Sequence, residues 1–436
     1  MTHAIQLAIR TDRTLLRATA RSTHFLHMTL SAPVAPPRDA DADADAARVR
    51  LPMNVGLVLD RSGSMGGEDK FPLAVQAIEQ SLALLQPQDR FTLVVYDNIV
   101  DTIMSNTLAT ADAKRVALQR LSEIQPRGGT DLYAGWMTGA AQMLEQMSRD
   151  AVNRVLLLTD GLANAGMTEP SGLLTAAEAL RGRGIGTTTF GVGNDFDERL
   201  LRDIAHNGGG QFYFVGEPAQ IPEMVTSELG EALQVVRRNA ALQITLPPGA
   251  ESELLNRYRT THTAGDHALR VELGDLTSGQ ELTLVVRLTF PEDREGATTS
   301  VRVGIAGLDA LSMDAECELS WTYADHAATE AQPRLVLVDR EVATLYAARA
   351  RAEATEANRQ GDYLRATRVL EGTARRIRSY AKGDPVLDTI WRTLLAELEM
   401  YAERSMSAKE MKMSFYAAES QGKNRDAQGK ARRQPR

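Results

Sequence analysis

The stretch MNVGLVLDRSGSM, residues 53–65, decides the fold of the central part of the chain. Its first seven residues are mostly apolar, and Asp60, Ser62 and Ser64 follow directly after them. A short apolar run of this kind is typical of a strand that is buried on both faces of a sheet. Polar side chains that follow such a strand lie at its carboxyl end, where open α/β sheets bind their ligands.

The same pattern recurs over the next 160 residues or so, up to about Val236. Stretches with helical spacing of apolar residues, such as 71–85 and 131–147, separate the apolar runs. This alternation predicts an α/β domain over residues 51–236, with a mostly parallel sheet and helices on both faces. The further runs are FTLVVY (91–96), NRVLLLT (153–159), GTTTFGV (186–192) and QFYFV (211–215).

The segments on either side of this domain alternate apolar and polar residues with a period of two, which is typical of antiparallel strands. Residues 237–326 show it best in ELTLVVRLTF, residues 281–290, and residues 1–33 share the pattern. We expect the two segments to form one β-sandwich, so that the α/β domain is an insertion within it. Residues 34–50, with their prolines and Asp-Ala repeat, predict a solvated linker rather than a calcium loop, because the glycine and glutamate of such a loop are missing.

The last hundred residues have helical periodicity. Residues 334–415 predict a helical region, with breaks at Gly361-Asp362 and at Gly383-Asp384-Pro385. Glycine favours a helix end, aspartate a helix start, and proline the first helical position. Residues 416–436 are basic and carry no apolar anchor, so they predict a disordered tail, with a weak contact to an acidic partner as the alternative.

Composition excludes several classes of protein. A length of 436 residues suggests more than one domain, and a net charge of −8 argues against a general nucleic-acid binder. One cysteine excludes an intramolecular disulfide framework and a cysteine-cluster metal site. No apolar run is long enough for a transmembrane helix, and the first residues lack the apolar core of a signal peptide. We therefore expect a cytoplasmic protein without a membrane span.

The candidate site combines oxygen-bearing side chains from three loops. Two of these loops follow apolar strand runs, and the third precedes a predicted helix. Two carboxylates and three hydroxyls suit Mg²⁺ or Mn²⁺ with some water retained. Ca²⁺ ranks lower because it usually takes more carboxylates, and zinc would take His or Cys. In the alternative without a metal site, the two serines only cap the next helix. The predicted metal ligands are Asp60, Ser62, Ser64, Thr130 and Asp160.

These loops, DRSGS, GGT and TDG, resemble the metal-ion-dependent adhesion site (MIDAS) of von Willebrand factor A (VWA) domains, and all five side chains match. The motif resemblance covers residues 51–236 and implies a Rossmann-like α/β fold. The flanks resemble multidomain bacterial VWA proteins in which this domain interrupts a β-sandwich. The resemblance implies a protein-binding module, in which Mg²⁺ captures a Glu or Asp carboxylate exposed on a partner protein. In some family members the last helix of the domain, here about 219–236, moves when the metal gains a ligand.

Two neighbours of the predicted ligands have open or secondary roles. Arg61 either steers an acidic partner towards the metal or is simply solvated, and the sequence leaves both readings open. Asp131 follows Thr130 directly and reads as a negative charge at a helix N-terminus rather than as a ligand.

Other functions have less support. A metal-dependent hydrolase would want a second acid in the first loop, where serine stands instead, and no nucleophile–base pair is visible, so we expect no enzymatic activity. A channel function is not expected, because no segment of the sequence is predicted to span a membrane. The alternative we keep is an adaptor or scaffold subunit of an AAA+ ATPase or a kinase–phosphatase system. The chain has no phosphate-binding P-loop, so nucleotide hydrolysis would belong to the partner.

Overall fold

The computed structural model describes residues 5–34, 50–263, 267–306, 313–402 and 406–433. The chain divides into two compact units. The central unit is Pro36–Val235, and the other unit combines Met1–Ala35 with Val236–Arg436. The predicted linker at 34–50 falls almost entirely outside the described residues. Before the central unit lie strands β1 (Gln6–Thr11), β2 (Leu15–Arg17) and β3 (Ser22–Ser31).

The central unit alternates strands with helices, as its sequence predicts. Short 3-10 helices at Gly63–Gly66 and Pro218–Gln220 complete it. Its strands are β4 (Met53–Asp60), β5 (Arg90–Tyr96), β6 (Val100–Leu108), β7 (Val152–Thr159), β8 (Ile185–Val192) and β9 (Gly209–Val215). Its helices are α1 (Lys70–Leu84), α2 (Ala111–Ser122), α3 (Leu132–Leu144), α4 (Pro170–Gly182), α5 (Glu198–Asn207) and α6 (Ile221–Ala232).

One sheet organises this unit, in the order β6-β5-β4-β7-β8-β9. All neighbouring strands are parallel except β6, which pairs with β5 in the antiparallel direction. The chain runs outward from β4 to β5 and β6, and then returns to place β7 on the other side of β4. The strand order therefore reverses between β4 and β7, and such a switch point opens a crevice at the carboxyl ends of the two strands.

Helix α3 lies unusually close to the sheet because two glycines face it. A methyl group at Gly135 would come within 2.4 Å of the Tyr96 ring, and one at Gly139 within 2.6 Å of Val58. Those spaces are too small for any larger side chain, since real Cβ contacts of this length do not occur. The close approach fixes the N-terminus of α3, and hence the loop before it, against the carboxyl edge of the sheet.

The other unit, which combines Met1–Ala35 with Val236–Arg436, contains two sheets that share one apolar core. The sheet orders are β1-β3-β14-β11 and β12-β13-β10-β15-β16-β2. Side chains from both sheets meet in this core, as a β-sandwich requires. The remaining strands are β10 (Val235–Thr245), β11 (Glu251–Leu254), β12 (Arg259–Thr263), β13 (Ala268–Thr277), β14 (Glu281–Phe290), β15 (Thr298–Ala306) and β16 (Met313–Ala324).

The N-terminal strands belong to this sandwich, which confirms the predicted insertion. Strand β3 lies between β1 and β14 and pairs with β14 along its whole length, from Ser22 opposite Phe290 to Ser31 opposite Glu281. Its alternate residues Leu26, Met28 and Leu30 are fully buried in the shared core. Residues that lie on opposite sides of the central unit in sequence thus complete one sheet.

Helices follow the sandwich. Two predicted breaks are confirmed, because the side chains of Asp362 and Asp384 accept backbone N–H bonds at the starts of α9 and α10. Helix α8 covers the outer face of the first sheet through Val338, Val342 and Leu345, which pack on Val285. The helices are α7 (His326–Ala331), α8 (Val336–Arg359), α9 (Tyr363–Ala381), α10 (Pro385–Ala396), α11 (Leu398–Ala402) and α12 (Ala408–Gly422).

The C-terminus differs from the predicted disordered tail at 416–436. Residues 416–422 continue helix α12, and the following residues bind the open side of β14. Thr283 N–H donates to Asn424 Oδ1 over 3.0 Å, and Glu281 N–H donates to the carbonyl of Arg432 over 2.9 Å. Strand β11 is short and pairs only with the far half of β14, which leaves these N–H groups without a strand partner. Backbone groups that need partners therefore order a segment whose side chains predict disorder.

Within the part of the chain that the structure describes, every helix is too short or too polar to span a lipid bilayer.

A buried histidine makes the stability of the sandwich depend on pH. His27 lies on β3 opposite Val285, and its Nδ1 atom is buried without a hydrogen-bond partner among the described residues. Burial lowers the pKa of His27 to about 4, and the positive charge of Arg10 adds to the decrease. The folded state therefore keeps the ring neutral while the unfolded chain takes up a proton below its ordinary pKa, and stability is lost as pH falls from about 6.5 towards 4.

We predict that replacing His27 by Leu removes this loss. Between pH 7 and pH 5 the free energy of unfolding of the wild-type sandwich should fall by about 2 kcal/mol more than that of H27L. Urea unfolding at the two pH values measures the difference. The matched control is His326→Leu, at an exposed histidine of α7, which should keep the wild-type pH dependence. Equal pH dependence of H27L and wild type would contradict the prediction.

Candidate metal centre

Two buried aspartates end the strands on either side of the switch point. Asp60 is the last residue of β4 and Asp160 directly follows β7, and neither has solvent-exposed surface. Asp60 Oδ2 accepts a hydrogen bond of 2.6 Å from Thr159 Oγ1, and Asp60 Oδ1 accepts one of 2.7 Å from Ser62 N–H. Parallel pairing of β4 with β7 thus brings together two carboxylates that are a hundred residues apart in sequence.

The three predicted hydroxyl ligands lie at the same place. Ser62 Oγ is 3.0 Å from Ser64 Oγ, which donates to Asp160 Oδ1 over 2.6 Å. A methyl group at Gly161 would lie 3.6 Å from Thr130 Oγ1 and 3.8 Å from Ser64 Oγ. The two hydroxyls therefore approach one point beside Gly161, and the structure brings all five predicted residues into one cluster.

The serines are not caps of the next helix. Helix α1 begins only at Lys70, with Asp69 before it, and a 3-10 turn at Gly63–Gly66 separates the serines from it. Ser62 precedes that turn without capping it through its side chain. The local role that the sequence left open for these serines is therefore absent, and their hydroxyls face the two aspartates instead.

Burial dominates the electrostatics of the cluster. Burial raises the pKa of Asp60 to about 6 against the hydrogen bonds from Thr159 and Ser62, and the charge of Asp160 adds to the increase. Burial likewise raises the pKa of Tyr96 well above its ordinary value, and the charge of Asp60 contributes. One cation is within reach, since Lys70 Nζ donates to Asp160 Oδ2 over 2.9 Å.

Arg61 is neither solvated nor aimed at a partner, so both sequence readings were wrong. Its side chain is 4% exposed and pairs with Asp97 at 3.1 Å and with Asp101 at 2.5 Å. Burial alone would raise the pKa of Asp97, but hydrogen bonds from Arg127 and from Ile99 N–H, with the charge of Arg61, hold it below its ordinary value. The pair is therefore ionised on both sides.

This ion pair sits where three loops meet. Backbone bonds join Arg127 N–H to the carbonyl of Arg61, Gly63 N–H to that of Gly128, and Asp131 N–H to that of Asp97. The loop after β4, the loop after β5 and the loop before α3 are thereby fixed to each other. The first carries Ser62 and Ser64, and the last carries Thr130, so the geometry of the hydroxyls depends on this junction.

Thr130 is also held from the side of β7. Asn164 Oδ1 accepts from Thr130 N–H over 2.8 Å, and the Thr130 carbonyl accepts from Asn164 N–H over 3.2 Å. Asp131 starts helix α3 and accepts from Ala134 N–H over 2.9 Å, as predicted for a helix N-terminus.

Comparison with known proteins agrees with this geometry. The family model of the von Willebrand factor type A domain matches residues 54–227. The chain contains a VWA domain. The match covers the β4–β9 sheet and the helices up to α6, and it includes all five predicted ligand positions.

Relatives with similar sequences match between about a third and just over half of this chain. Uncharacterized protein YfbK of Escherichia coli K12 is 26% identical over 244 residues, which are 54% of this chain and 42% of that protein. Protein sll0103 of Synechocystis is 26% identical over 249 residues, 55% and 57% of the two chains. Human inter-alpha-trypsin inhibitor heavy chain H4 is 32% identical over 169 residues, 37% of this chain and 18% of that one. The chain spans about half the length of the first two relatives.

Solved structures resemble almost the whole chain. The von Willebrand factor type A protein from Catenulispora acidiphila has a TM-score of 0.73 at 16% identity and covers 95% of this chain and 96% of its own. The ArnB paralog VWA2 from Sulfolobus acidocaldarius has a TM-score of 0.58 at 15% identity, with 96% and 98% coverage. At such identities the likeness shows the fold alone, and it confirms the predicted combination of a VWA domain, antiparallel sheets and helices.

The sequence analysis missed the residues that position the predicted ligands. Thr159 and Asp97 each follow or end an apolar strand run, so their place at the sheet edge was a usable signal. Asn164 and Lys70 had no comparable signal, because loop conformation brings them to the site. In the described ranges no cluster of three or more His, Cys, Asp or Glu offers a competing metal site.

We predict that Asp97→Asn destabilises the VWA domain although Asp97 is not a predicted ligand. Removing the buried partner leaves Arg61 with only the half-exposed Asp101 as an opposite charge, which costs about 3 kcal/mol of unfolding free energy. Chemical unfolding of the variant measures this cost. The matched control is Asp101→Asn, which removes the more exposed partner of the same arginine and should cost about 1 kcal/mol or less. Equal effects of the two variants would be incompatible with Asp97 as the central partner.

Proposed function

We propose that the VWA domain binds Mg²⁺ through Asp60, Ser62, Ser64, Thr130 and Asp160 and uses it to capture a Glu or Asp carboxylate of a partner protein. The observation that carries the proposal is the cluster of oxygen-bearing side chains around two buried carboxylates at the switch point. VWA domains are generally metal-dependent interaction modules, and this supports a binding function for the chain.

The donor set fits a hard divalent cation. All five side chains offer oxygen, which suits Mg²⁺ or Mn²⁺, while two carboxylates are few for Ca²⁺ and the set lacks the His or Cys that zinc prefers. The raised pKa of Asp60 supports the same view, because two buried carboxylates without enough opposite charge favour a cation between them. Each carboxylate oxygen keeps lone pairs beyond its present hydrogen bonds, so ligation, direct or through water, is compatible with the geometry.

A Mg²⁺ ion held here would supply an electrophilic centre for one external oxygen ligand. The hydroxyl groups of the chain donate less electron density to a metal than carboxylates do. They would therefore leave the ion able to bind one further oxygen ligand strongly. Ser64 is exposed, whereas the other four residues of the cluster are buried, so the cluster reaches solvent on the side of Ser64. A carboxylate from outside would approach on that side.

Exposed apolar side chains beside the site favour a protein as the partner. Ile99 is 58% exposed and follows Asn98, whose side chain accepts from Gly129 N–H over 3.0 Å. Leu162 is 55% exposed and lies two residues after Asp160. Both loops therefore flank the segment that carries Thr130. Large apolar side chains around a polar anchor are typical of a protein–protein interface.

A hydrolytic function has no support at this site. The lysine near the cluster is engaged with Asp160, and the first loop offers serine where a second carboxylate would act as general acid or base.

The first experiment measures metal binding and partner capture together. Thr130→Ala should weaken Mn²⁺ binding by about tenfold or more in calorimetric titration, the size of effect seen when groups around a metal are removed. The matched control, Thr107→Ala, removes the hydroxyl of a half-buried residue of β6, which donates to the Ser105 carbonyl, and should bind Mn²⁺ as wild type does.

Partner capture uses wild type in Mg²⁺, wild type in EDTA and T130A in Mg²⁺ as baits in cell lysate. A protein retained only by wild type in Mg²⁺ supports carboxylate capture. A protein retained equally by all three baits would place recognition away from the metal and contradict the proposal.

The apolar side chains give a separate prediction. Ile99→Ser and Leu162→Ser should each weaken binding of the captured partner by about fivefold or more, the effect expected for interface anchors. Mn²⁺ affinity should stay at the wild-type value, because neither side chain belongs to the proposed ligand set. Leu84→Ser, at a 43% exposed leucine at the far end of α1, is the matched control and should bind the partner normally. If all three variants bind the partner as wild type does, these residues are not part of the interface.

A further inference from the structure

Lys70 occupies a position that disfavours a cation for two reasons. It is the first residue of helix α1, where the helix dipole presents its positive end. Its side chain is also only 10% exposed, and burial of an ammonium group is costly unless the group is paired. A lysine at such a place needs a specific compensating contact.

That contact is with a predicted metal ligand. Lys70 Nζ donates to Asp160 Oδ2 over 2.9 Å, while Asp160 Oδ1 accepts from Ser64 Oγ over 2.6 Å. The two oxygens of one carboxylate thus have different roles. The lysine holds one of them, and the other faces the hydroxyl cluster.

The backbone before α1 is built to deliver this side chain. Glu68 and Asp69 both adopt left-handed backbone conformations, with φ of 53° and 57°. Such conformations are strained for residues with a side chain. On the other side, a methyl group at Gly193 would lie 3.6 Å from Nζ, so the end of the lysine packs against the turn after β8. The ammonium is enclosed between the ends of β7 and β8.

This arrangement changes the charge of the site. Asp60, Asp160 and Lys70 together carry a net charge of −1, and a divalent cation brings the total to +1. Without the lysine the same site would be at −2 alone and neutral with the cation. The lysine therefore weakens the attraction for the cation and leaves the loaded site positive.

We propose that Lys70 is a positioning residue that sets the charge of the site, so that the metal alone binds more weakly and an external carboxylate binds the metal-loaded site more tightly. This inference rests on the function proposed above. The ammonium orients Asp160 and supplies positive charge that a partner carboxylate neutralises.

The test replaces Lys70 by Met, which keeps the length of the side chain and removes its charge. Mn²⁺ affinity is measured by calorimetry on the full chain at pH 8, alone and with glutarate as the carboxylate probe. We expect K70M to bind Mn²⁺ alone about tenfold more tightly than wild type, and to bind glutarate at saturating Mn²⁺ about tenfold more weakly, because one unit charge is removed within a few ångströms of the cation. Lys70→Arg keeps the charge and should retain the wild-type pattern.

Opposite changes in the two affinities separate this role from a structural one. A lysine that only stabilises the fold would lower both affinities together in K70M, or leave both unchanged, and either result would overturn the inference. Lys114→Met is the matched control, since Lys114 bonds the Leu85 carbonyl beyond the end of α1 and makes no contact with the site.

The two proposals fail in different ways. If wild type binds Mn²⁺ and glutarate but K70M shows no opposite changes, the inference on Lys70 fails and the proposed function stands. If neither wild type nor K70M binds Mn²⁺, both fail. Circular dichroism and thermal unfolding of each variant establish that the compared proteins are folded.

Discussion

Two negative charges at the ends of adjacent parallel strands are the constraint on which the candidate site depends. Asp60 and Asp160 are fully buried, and they are close enough that the charge of Asp160 adds to the increase in the pKa of Asp60. The chain offsets this repulsion with groups that donate hydrogen: Thr159 and the Ser62 N–H to Asp60, and Ser64 and Lys70 to Asp160. These donors lower the electrostatic cost without removing it, and a site of this kind favours a cation.

Around the carboxylates, the loops are fixed by a second, separate set of charges. The buried pair of Arg61 and Asp97 joins the segment with the serines to the loops after β5 and before α3. Asn164 holds Thr130 from the β7 side. The backbone that carries the hydroxyl groups is therefore positioned in part by contacts beyond Asp60 and Asp160. Preorganisation of this kind reduces the ordering cost of binding.

A buried glutamate opposes movement of α6, the last helix of the VWA domain. Glu228 of α6 is buried and accepts from Arg154 and Thr188 over 2.8 Å each and from the Tyr213 hydroxyl over 2.7 Å. Any displacement of α6 along the domain has to break these contacts or carry them along, and separating the ion pair would leave the buried Arg154 charge without this partner, which is costly. A switch in this protein would therefore have to supply enough binding energy to release Glu228.

Sequence alone predicted the alternation of strands and helices in the central domain, the insertion of this domain in a sandwich, and the five residues of the cluster. These follow from the hydrophobic period, from polar residues beside strand and helix ends, and from the resemblance to the MIDAS motif. Tertiary structure decided what depends on loop conformation and on partners distant in sequence. It buried Arg61 against Asp97, brought Lys70 to Asp160, and ordered residues after Gly422 on the open side of β14. Local pattern cannot reveal such contacts, since a charged residue looks equally solvated in sequence whether or not the fold brings an opposite charge or an unpaired backbone N–H to meet it.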